Sequence, residues 1–230
     1  MTDTRITEAP VAAAFRETRE RLTDLLRDRD PSVAAIRVPT CPDWTVHSVV
    51  AHLSGGMADA IGGRLDGAGT DPWTARQVDE RRDRSLAQIL DEWNENAPHV
   101  EPLLDSAGEI GRQAVADVVS HEHDIRLALD APGARDSDAV RIGLRFVATQ
   151  LVAEVAARGK ALHIMSEGLR FGPATAPIRL TGSAFELLRA ITGRRSISQI
   201  RALQWEGDPW PIIPAFWWLS ISPSRVDIHE

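Results

Sequence analysis

The sequence contains one cysteine, Cys41, among 230 residues. A single thiol excludes an internal disulfide framework and also a zinc site built from several cysteines. Any metal ion must therefore rely on histidine and carboxylate ligands. Lysine is equally scarce, because Lys160 is the only one in the chain. Schiff-base chemistry on lysine is thus excluded at every other position.

The chain also lacks an excess of positive charge and any long apolar run. Its formal net charge is -7, whereas phosphate backbones are bound by basic surfaces, so the composition argues against a nucleic-acid partner. No run of about eighteen apolar residues is present to span a membrane. No basic segment followed by an apolar stretch is present to direct export. These absences predict a cytoplasmic protein with no membrane partner.

Helical spacing of apolar residues dominates the first two thirds of the chain. Beyond Gly159 the pattern changes to short strands at 161–165 and 177–180, followed by a helix between Ser183 and Thr192. We therefore predict an α+β protein that is mainly α. A four-helix bundle with one additional helix occupies residues 1–158, and a small α/β domain occupies residues 159–230. The helical segments begin near residue 11, near residue 46, after residue 71, near residue 112 and near residue 140.

Glycine is concentrated in one stretch between the second and third helical segments. This density predicts a flexible connection, which is either a mobile loop over a site or a simple long linker. The glycines are Gly55, Gly56, Gly62, Gly63, Gly67 and Gly69.

Asp117 and His121 lie four residues apart beside the apolar face of the helical segment 115–129. At 3.6 residues per turn, positions i and i+4 differ by about 40° around the axis, so both side chains can converge on one metal ion. A third ligand must come from elsewhere, and His52 on the second helix is the candidate. Taken alone, His52 fits a structural histidine better than a ligand. Together with the Asp117 and His121 pair it favours a metal site.

The neighbours of His121 have different expected roles. Asp124 lies one turn further along the helix and is the expected hydrogen-bond partner behind the imidazole. His123 is nearly on the opposite helix face and is expected at the surface or in support of the ligands, and Glu122 is expected to be a solvated charge. Near the C-terminus, Arg194, Arg195 and Arg201 are candidates for binding a carboxylate substrate or an anionic cofactor, although a solvated surface fits them equally well.

The segment 210–219 is unusually aromatic. We interpret it as a C-terminal segment that packs across both domains, in preference to a ligand wall or a subunit interface, because buried aromatic side chains usually contribute to packing.

Three stretches occur together in a family-specific order. They are CPDWTV leading into VVAHL at 41–53, HEHDIR at 121–126, and ELLRAITGRRS at 186–196 followed by GDP at 207–209. These stretches resemble the mycothiol-dependent maleylpyruvate isomerase-like proteins, whose N-terminal half is a DinB-like metal-binding four-helix bundle. The resemblance touches both ends of the chain.

The resemblance implies a metal triad of His52, Asp117 and His121, with Asp117 standing where the isomerase itself has glutamate. It also implies a divalent cation, zinc first, and mycothiol as thiol cosubstrate for an electrophilic small molecule. The expected activity is then a thiol S-transferase or a cis-trans isomerase, in a monomer or homodimer. The alternative is a bundle that binds a small molecule or a protein without turnover, with a partly vestigial metal site.

Overall fold

A computed structural model describes residues 9–218 and 221–230. The first eight residues of the predicted helical domain, and Leu219 of the aromatic segment, lie outside the described residues. None of the helices in the described ranges is long and apolar enough to cross a lipid bilayer.

Helices that pack side by side form the larger part of the molecule, which confirms the mainly α prediction. Helix α1 packs on α5, α2 packs on α4 and α5, and α5 packs on α6, so α5 is central. A short hairpin of β1 (Arg37–Val38) and β2 (Cys41–Thr45) precedes α2. The helices of this part are α1 (Val11–Arg27), α2 (Val46–Gly62), α3 (Asp71–Asp79), α4 (Leu86–Val100), α5 (Glu109–Ala128) and α6 (Asp138–Ala157).

The glycine-rich stretch differs from its prediction, because its first part is helical. Helix α2 continues through Gly55 and Gly56 and ends only at Gly62. At Gly55 the missing side chain has a packing reason, since a Cβ there would lie 2.6 Å from the Cβ of Gln77 on α3. Gly63, with φ +65°, adopts the left-handed conformation that caps the helix. The flexible-loop prediction was therefore wrong for residues 55–62.

The long helix expected after residue 71 is broken into two. Helix α3 ends at Asp79, and α4 begins at Leu86 with a capping box in which Ser85 and Gln88 exchange hydrogen bonds. This capping box fixes the residue at which α4 begins. The residues between the two helices form turns without regular secondary structure.

The C-terminal part is a four-stranded sheet with two short helices. The sheet has the order β4-β3-β5-β6, in which β3 and β5 are parallel and the other neighbours are antiparallel. The predicted strands 161–165 and 177–180 correspond to β3 and β5, whereas the two edge strands, each three residues long, were not predicted. The elements are β3 (Leu162–Ser166), β4 (Leu169–Phe171), β5 (Ile178–Thr181), α7 (Ala184–Ile191), α8 (Ile197–Arg201) and β6 (Gln204–Glu206).

One continuous apolar core joins the two parts of the molecule. Helix α7 packs on α6, and its Leu187 and Leu188 are fully buried. In the aromatic segment, the short helical turn Ile213–Phe216 also contacts α6, and the indole of Trp218 donates a hydrogen bond to the carbonyl of Ile191. The segment therefore packs against both parts, as predicted from the sequence.

Candidate metal centre

The three predicted ligands come together where α2 packs on α5. The Nε2 atom of His52 lies 3.3 Å from Oδ2 of Asp117, and the Nε2 atom of His121 lies 3.6 Å from Oδ1 of the same carboxylate. One donor atom from each residue lies within 4.8 Å of the other two, as binding to a single ion requires. Both imidazoles are buried, whereas the Asp117 side chain is 46% exposed. The carboxylate therefore marks the open side of the centre.

Both histidines are held from behind by hydrogen bonds at Nδ1. His52 Nδ1 lies 2.8 Å from Oε1 of Gln77, and His121 Nδ1 lies 3.0 Å from Oδ2 of Asp124. Because Nδ1 is occupied in each ring, Nε2 is the nitrogen that faces the other ligands. Metal-binding histidines typically have such a partner on the second nitrogen. The arrangement of donors thus fits a divalent cation.

Asp124 is a fully buried carboxylate at the junction with the C-terminal part. It accepts hydrogen bonds from Arg189 Nη1 (2.9 Å), Arg194 Nη2 (2.7 Å) and Thr40 Oγ1 (2.7 Å). Burial alone would raise the pKa of Asp124, but the charges of Arg194 and Arg189 outweigh it and hold that pKa well below its usual range. Asp124 is therefore ionised and can only accept, which makes His121 Nδ1 the donor.

Electrostatics within the triad keep the carboxylate charged. Partial loss of solvent raises the pKa of Asp117, but the neighbouring His52 outweighs this effect and lowers the pKa to about 2. Burial lowers the pKa of His52, but the charge of Asp117 more than compensates and the net pKa is raised. A proton and a metal cation thus compete for the same nitrogen atoms.

A second group, Cys41 with His121 and Asp124, also has donor atoms within 4.8 Å of one another. Its surroundings disfavour a cation, because the guanidinium groups of Arg189 and Arg194 already contact Asp124. Burial also raises the pKa of the Cys41 thiol to about 11, so the sulfur stays protonated at neutral pH. The triad of His52, Asp117 and His121 is the better metal centre.

Two indoles flank the imidazoles. The ring of Trp44 stacks on His121 with centroids 5.9 Å apart, and it also lies 5.4 Å from the ring of His52. The ring of Trp73 meets His52 edge-on at 6.1 Å. Neither Trp73 nor Gln77 was expected at the site from the sequence, since both lie on α3, beyond the segment that was interpreted as a flexible connection.

The three candidate arginines do not form one cluster. Arg194 contacts Asp124 and lies 3.7 Å from the sulfur of Cys41, so it lies directly behind the metal centre. Arg195 pairs instead with Glu186 and Glu230, and the guanidinium of Arg201 lies over the ring of Trp210, 4.5 Å from its centroid.

Two expectations for α5 were wrong. Glu122 is fully buried and accepts hydrogen bonds from Arg21 and Arg126, so it is no solvated charge. His123 is also buried, with its ring edge-on to Phe185 at 4.7 Å, and burial is the main cause that lowers its pKa to about 3. The physical reason is the central position of α5, which is covered on every side along this stretch.

Residues 15–126 match a known protein family, described as the mycothiol maleylpyruvate isomerase N-terminal domain. The matched range covers most of the helical part of the chain. The matched range contains His52, Asp117 and His121 and ends before the three arginines. The family resemblance expected from the sequence is therefore confirmed.

The fold is similar to that of solved family structures. The crystal structure of the mycothiol-dependent maleylpyruvate isomerase has 12% sequence identity and a TM-score of 0.50, over 80% of this chain and 88% of that chain. A crystal structure of a point mutant of that isomerase has the same identity and coverage, with a TM-score of 0.48. No curated protein matches the sequence. The likeness to the isomerase structure with the TM-score of 0.50 supports the mainly α, α+β fold.

Proposed function

We propose that this protein is a metal-dependent enzyme that uses mycothiol, acting on an electrophilic small molecule as a thiol S-transferase or as a cis-trans isomerase. The observation that supports the proposal is the convergence of two Nε2 atoms and one carboxylate, with both Nδ1 atoms bound from behind. The match of residues 15–126 to the isomerase family supports the use of a thiol cosubstrate and of a small-molecule substrate.

His52, Asp117 and His121 are the residues that would hold the cation. Two imidazoles and one carboxylate leave a coordination position open, which is typical of catalytic zinc and makes zinc the first choice. When bound, a divalent cation would lower the pKa of the cosubstrate thiol and stabilise the thiolate. Aspartate is one methylene shorter than the glutamate of the isomerase, yet both Asp117 oxygens already lie within 3.6 Å of the histidine nitrogens.

The protein itself supplies position and access. Gln77 and Asp124 orient the two imidazoles, and the rings of Trp44 and Trp73 lie against them. Cosubstrate and substrate would then approach from the side of Asp117, the exposed member of the triad. If the thiol attacks a cis double bond and is then released again, the reaction is an isomerisation. If another group leaves instead, the thiol stays attached to the product and the reaction is a transfer.

We further propose a domain boundary between residues 158 and 159, with the C-terminal domain completing the site. Helix α6 ends at Ala157, and Gly159 adopts a left-handed turn before the sheet begins. From the C-terminal domain, Arg189 and Arg194 reach Asp124 behind the metal centre. Among the three candidate arginines, Arg194 is thus the one linked to the centre, through Asp124, and Arg195 and Arg201 have no part in this proposal.

Metal analysis of the purified protein tests the proposal. Protein prepared without chelator is expected to hold about one divalent ion per chain and to lose it in the His52→Ala and His121→Ala variants, because each removes one ligand. His99→Ala is the matched control, since His99 is exposed on α4. The wild type is then incubated with mycothiol and a panel of electrophiles, with thiol adducts and cis-trans conversion as readouts.

Conversion that depends on both the thiol and the metal would support the enzyme. A metal-free wild type, or metal binding without conversion of any electrophile, would contradict it and favour a non-catalytic binding bundle.

A further inference from the structure

The structure assigns a positioning role to Gln77, which we infer fixes the tautomer of His52 so that the Nε2 lone pair faces the metal centre. Asp59 in turn fixes the orientation of Gln77. This inference deepens the proposed function and rests on the same centre. It makes α3 a part of the metal site, although none of the three ligands lies on that helix.

Gln77 is fully buried between His52 and Asp59. Its Oε1 atom lies 2.8 Å from Nδ1 of His52, and its Nε2 atom donates to Oδ2 of Asp59 at 2.8 Å. A carboxylate only accepts hydrogen bonds, so the amide NH2 group must face Asp59 and the amide oxygen must face His52. The assignment of the amide therefore follows from its neighbours, and Nδ1 of His52 must carry the proton.

Asp59 forms ion pairs with two arginines. Its side chain is fully buried, and Arg76 donates to Oδ2 at 2.8 Å. Arg64 Nη2 lies 2.7 Å from Oδ1, as an ion pair that is not aligned as a hydrogen bond. The resulting path runs from the exposed guanidinium groups through Asp59 and Gln77 to the back of His52.

Close packing of α3 on α2 allows this path. The backbone of α2 at Gly55 is so near α3 that an added Cβ would lie 2.6 Å from Gln77 Cβ and 2.9 Å from Arg81 Nη1. Arg81 also donates to the carbonyl of Gln77 at 3.1 Å and pairs with Glu92 of α4. Gln77 is thus held at both its backbone and its side chain.

The tautomer matters because only an unprotonated imidazole nitrogen binds a metal. Without the Gln77 oxygen, the proton of a neutral His52 would gain a better acceptor at Asp117, 3.3 Å from Nε2. That nitrogen would then be blocked, and metal binding would first require a tautomer change. His121 has the equivalent support from Asp124, so each imidazole depends on its own acceptor.

The test compares Gln77→Met with the wild type. Methionine has nearly the same length but offers only a weak acceptor, so the metal-free variant is expected to shift His52 from the Nδ1-H to the Nε2-H tautomer. Long-range 1H-15N NMR correlations of the ring, recorded in a pH titration above the point at which the ring shifts stop changing, report this shift directly. The dissociation constant for Zn2+, measured by chelator competition, is expected to rise ~10- to 100-fold. The matched control is Gln113→Met on the exposed face of α5.

The double variant Asp59→Asn/Gln77→Glu provides the rescue. It moves the carboxylate from position 59 to position 77 without changing size or net charge, so an acceptor again faces His52 Nδ1. It is expected to keep the Nδ1-H tautomer and to weaken Zn2+ binding by less than ~10-fold.

Three outcomes would overturn the inference. They are an Nδ1-H tautomer retained in Gln77→Met, a Zn2+ dissociation constant in Gln77→Met that equals that of Gln113→Met, and loss of the Nδ1-H tautomer in the double variant. If Gln77→Met does not fold, the double variant alone tests the inference. The tautomer is measured without metal, so a wild type that binds no Zn2+ would refute the proposed function and leave this comparison intact.

Discussion

At the scale of single residues, the chemistry of this protein depends on which polar groups are buried and what holds them. His52 and His121 each present one nitrogen to Asp117 and bond the other to a buried partner, Gln77 or Asp124. Burial of such groups is unfavourable unless hydrogen bonds replace those lost to water. The two hydrogen bonds that compensate for this burial also orient the imidazole rings, so that one nitrogen of each ring faces Asp117.

Cys41 provides a prediction at this scale. Burial raises its thiol pKa from 9.0 to about 11, so its thiolate fraction at neutral pH is expected to be ~100-fold lower than that of an unhindered thiol. Alkylation by iodoacetamide should therefore be slow in the folded protein, should accelerate as the pH rises towards 11, and should become normal in urea. Because Cys41 is the only cysteine, mass spectrometry gives the rate without ambiguity. A native rate equal to that in urea would contradict the burial of the thiol.

At the scale of secondary structure elements, the position of α3 determines the back of the site. The helix lies against α2 at Gly55. Just after its end, Arg81 donates to both oxygens of Glu92 on α4. Glu92 also accepts a hydrogen bond from Ser54 on α2. Helix α2, helix α4 and the turn that follows α3 therefore meet at one partly buried ion pair close to Gln77.

Gly55→Ala tests this contact between elements. Its Cβ would lie 2.6 Å from backbone-anchored Gln77 Cβ, so α3 must move, and we expect a loss of ~1 to 3 kcal/mol in the free energy of unfolding. Urea denaturation measures the loss, and weaker Zn2+ binding should accompany it. Gly62→Ala is the control, since its nearest neighbours are side-chain atoms of Arg64 at 3.6 Å. Equal stability of the two variants would show that α2 and α3 are not in tight contact.

At the scale of the whole molecule, a charged network joins the helical part to the C-terminal part behind the metal centre. Arg189 on α7 is fully buried and donates to the Ser120 carbonyl, to Asp124 and to Glu230. Asp124 in turn bonds to His121. The C-terminal part is therefore linked to His121, a proposed metal ligand, by two consecutive hydrogen bonds.

Arg189→Met is expected to reduce the free energy of unfolding by ~3 kcal/mol, because it leaves buried carboxylates with fewer partners. The loss stays near the lower end of the usual range, since Asp124 keeps Arg194 and Thr40. Urea denaturation followed by circular dichroism measures it, and Zn2+ affinity should fall in parallel. Arg201→Met, which removes an exposed contact with Trp210, should cost less than ~1 kcal/mol. Similar values for both arginines would rule out the network as a link between the parts.

Much of this organisation could be predicted from local patterns. The Asp117 and His121 pair follows from helical spacing alone, and the start of α2 follows from Thr45, whose side chain accepts from the backbone of Ser48. Errors arose where neighbours distant in sequence decide the environment. Glu122 and His123 are residue types that are commonly exposed, but other elements enclose α5 along this stretch. Gly55 lies inside a helix, where α3 packs so closely that it occupies the space of a side chain.

The sequence by itself determined the class of the fold, the resemblance of the helical part to a known family and the three residue types that converge on one centre. These depend on periodicity and on motifs, which are properties of neighbouring residues. Only the tertiary structure decided which arginine lies behind the centre, which groups hold the imidazoles, and which side of the triad is open. Gln77 lies 25 residues from His52, and Arg194 lies 70 from Asp124. Contacts over such separations are set by how helices pack, and no local pattern records them.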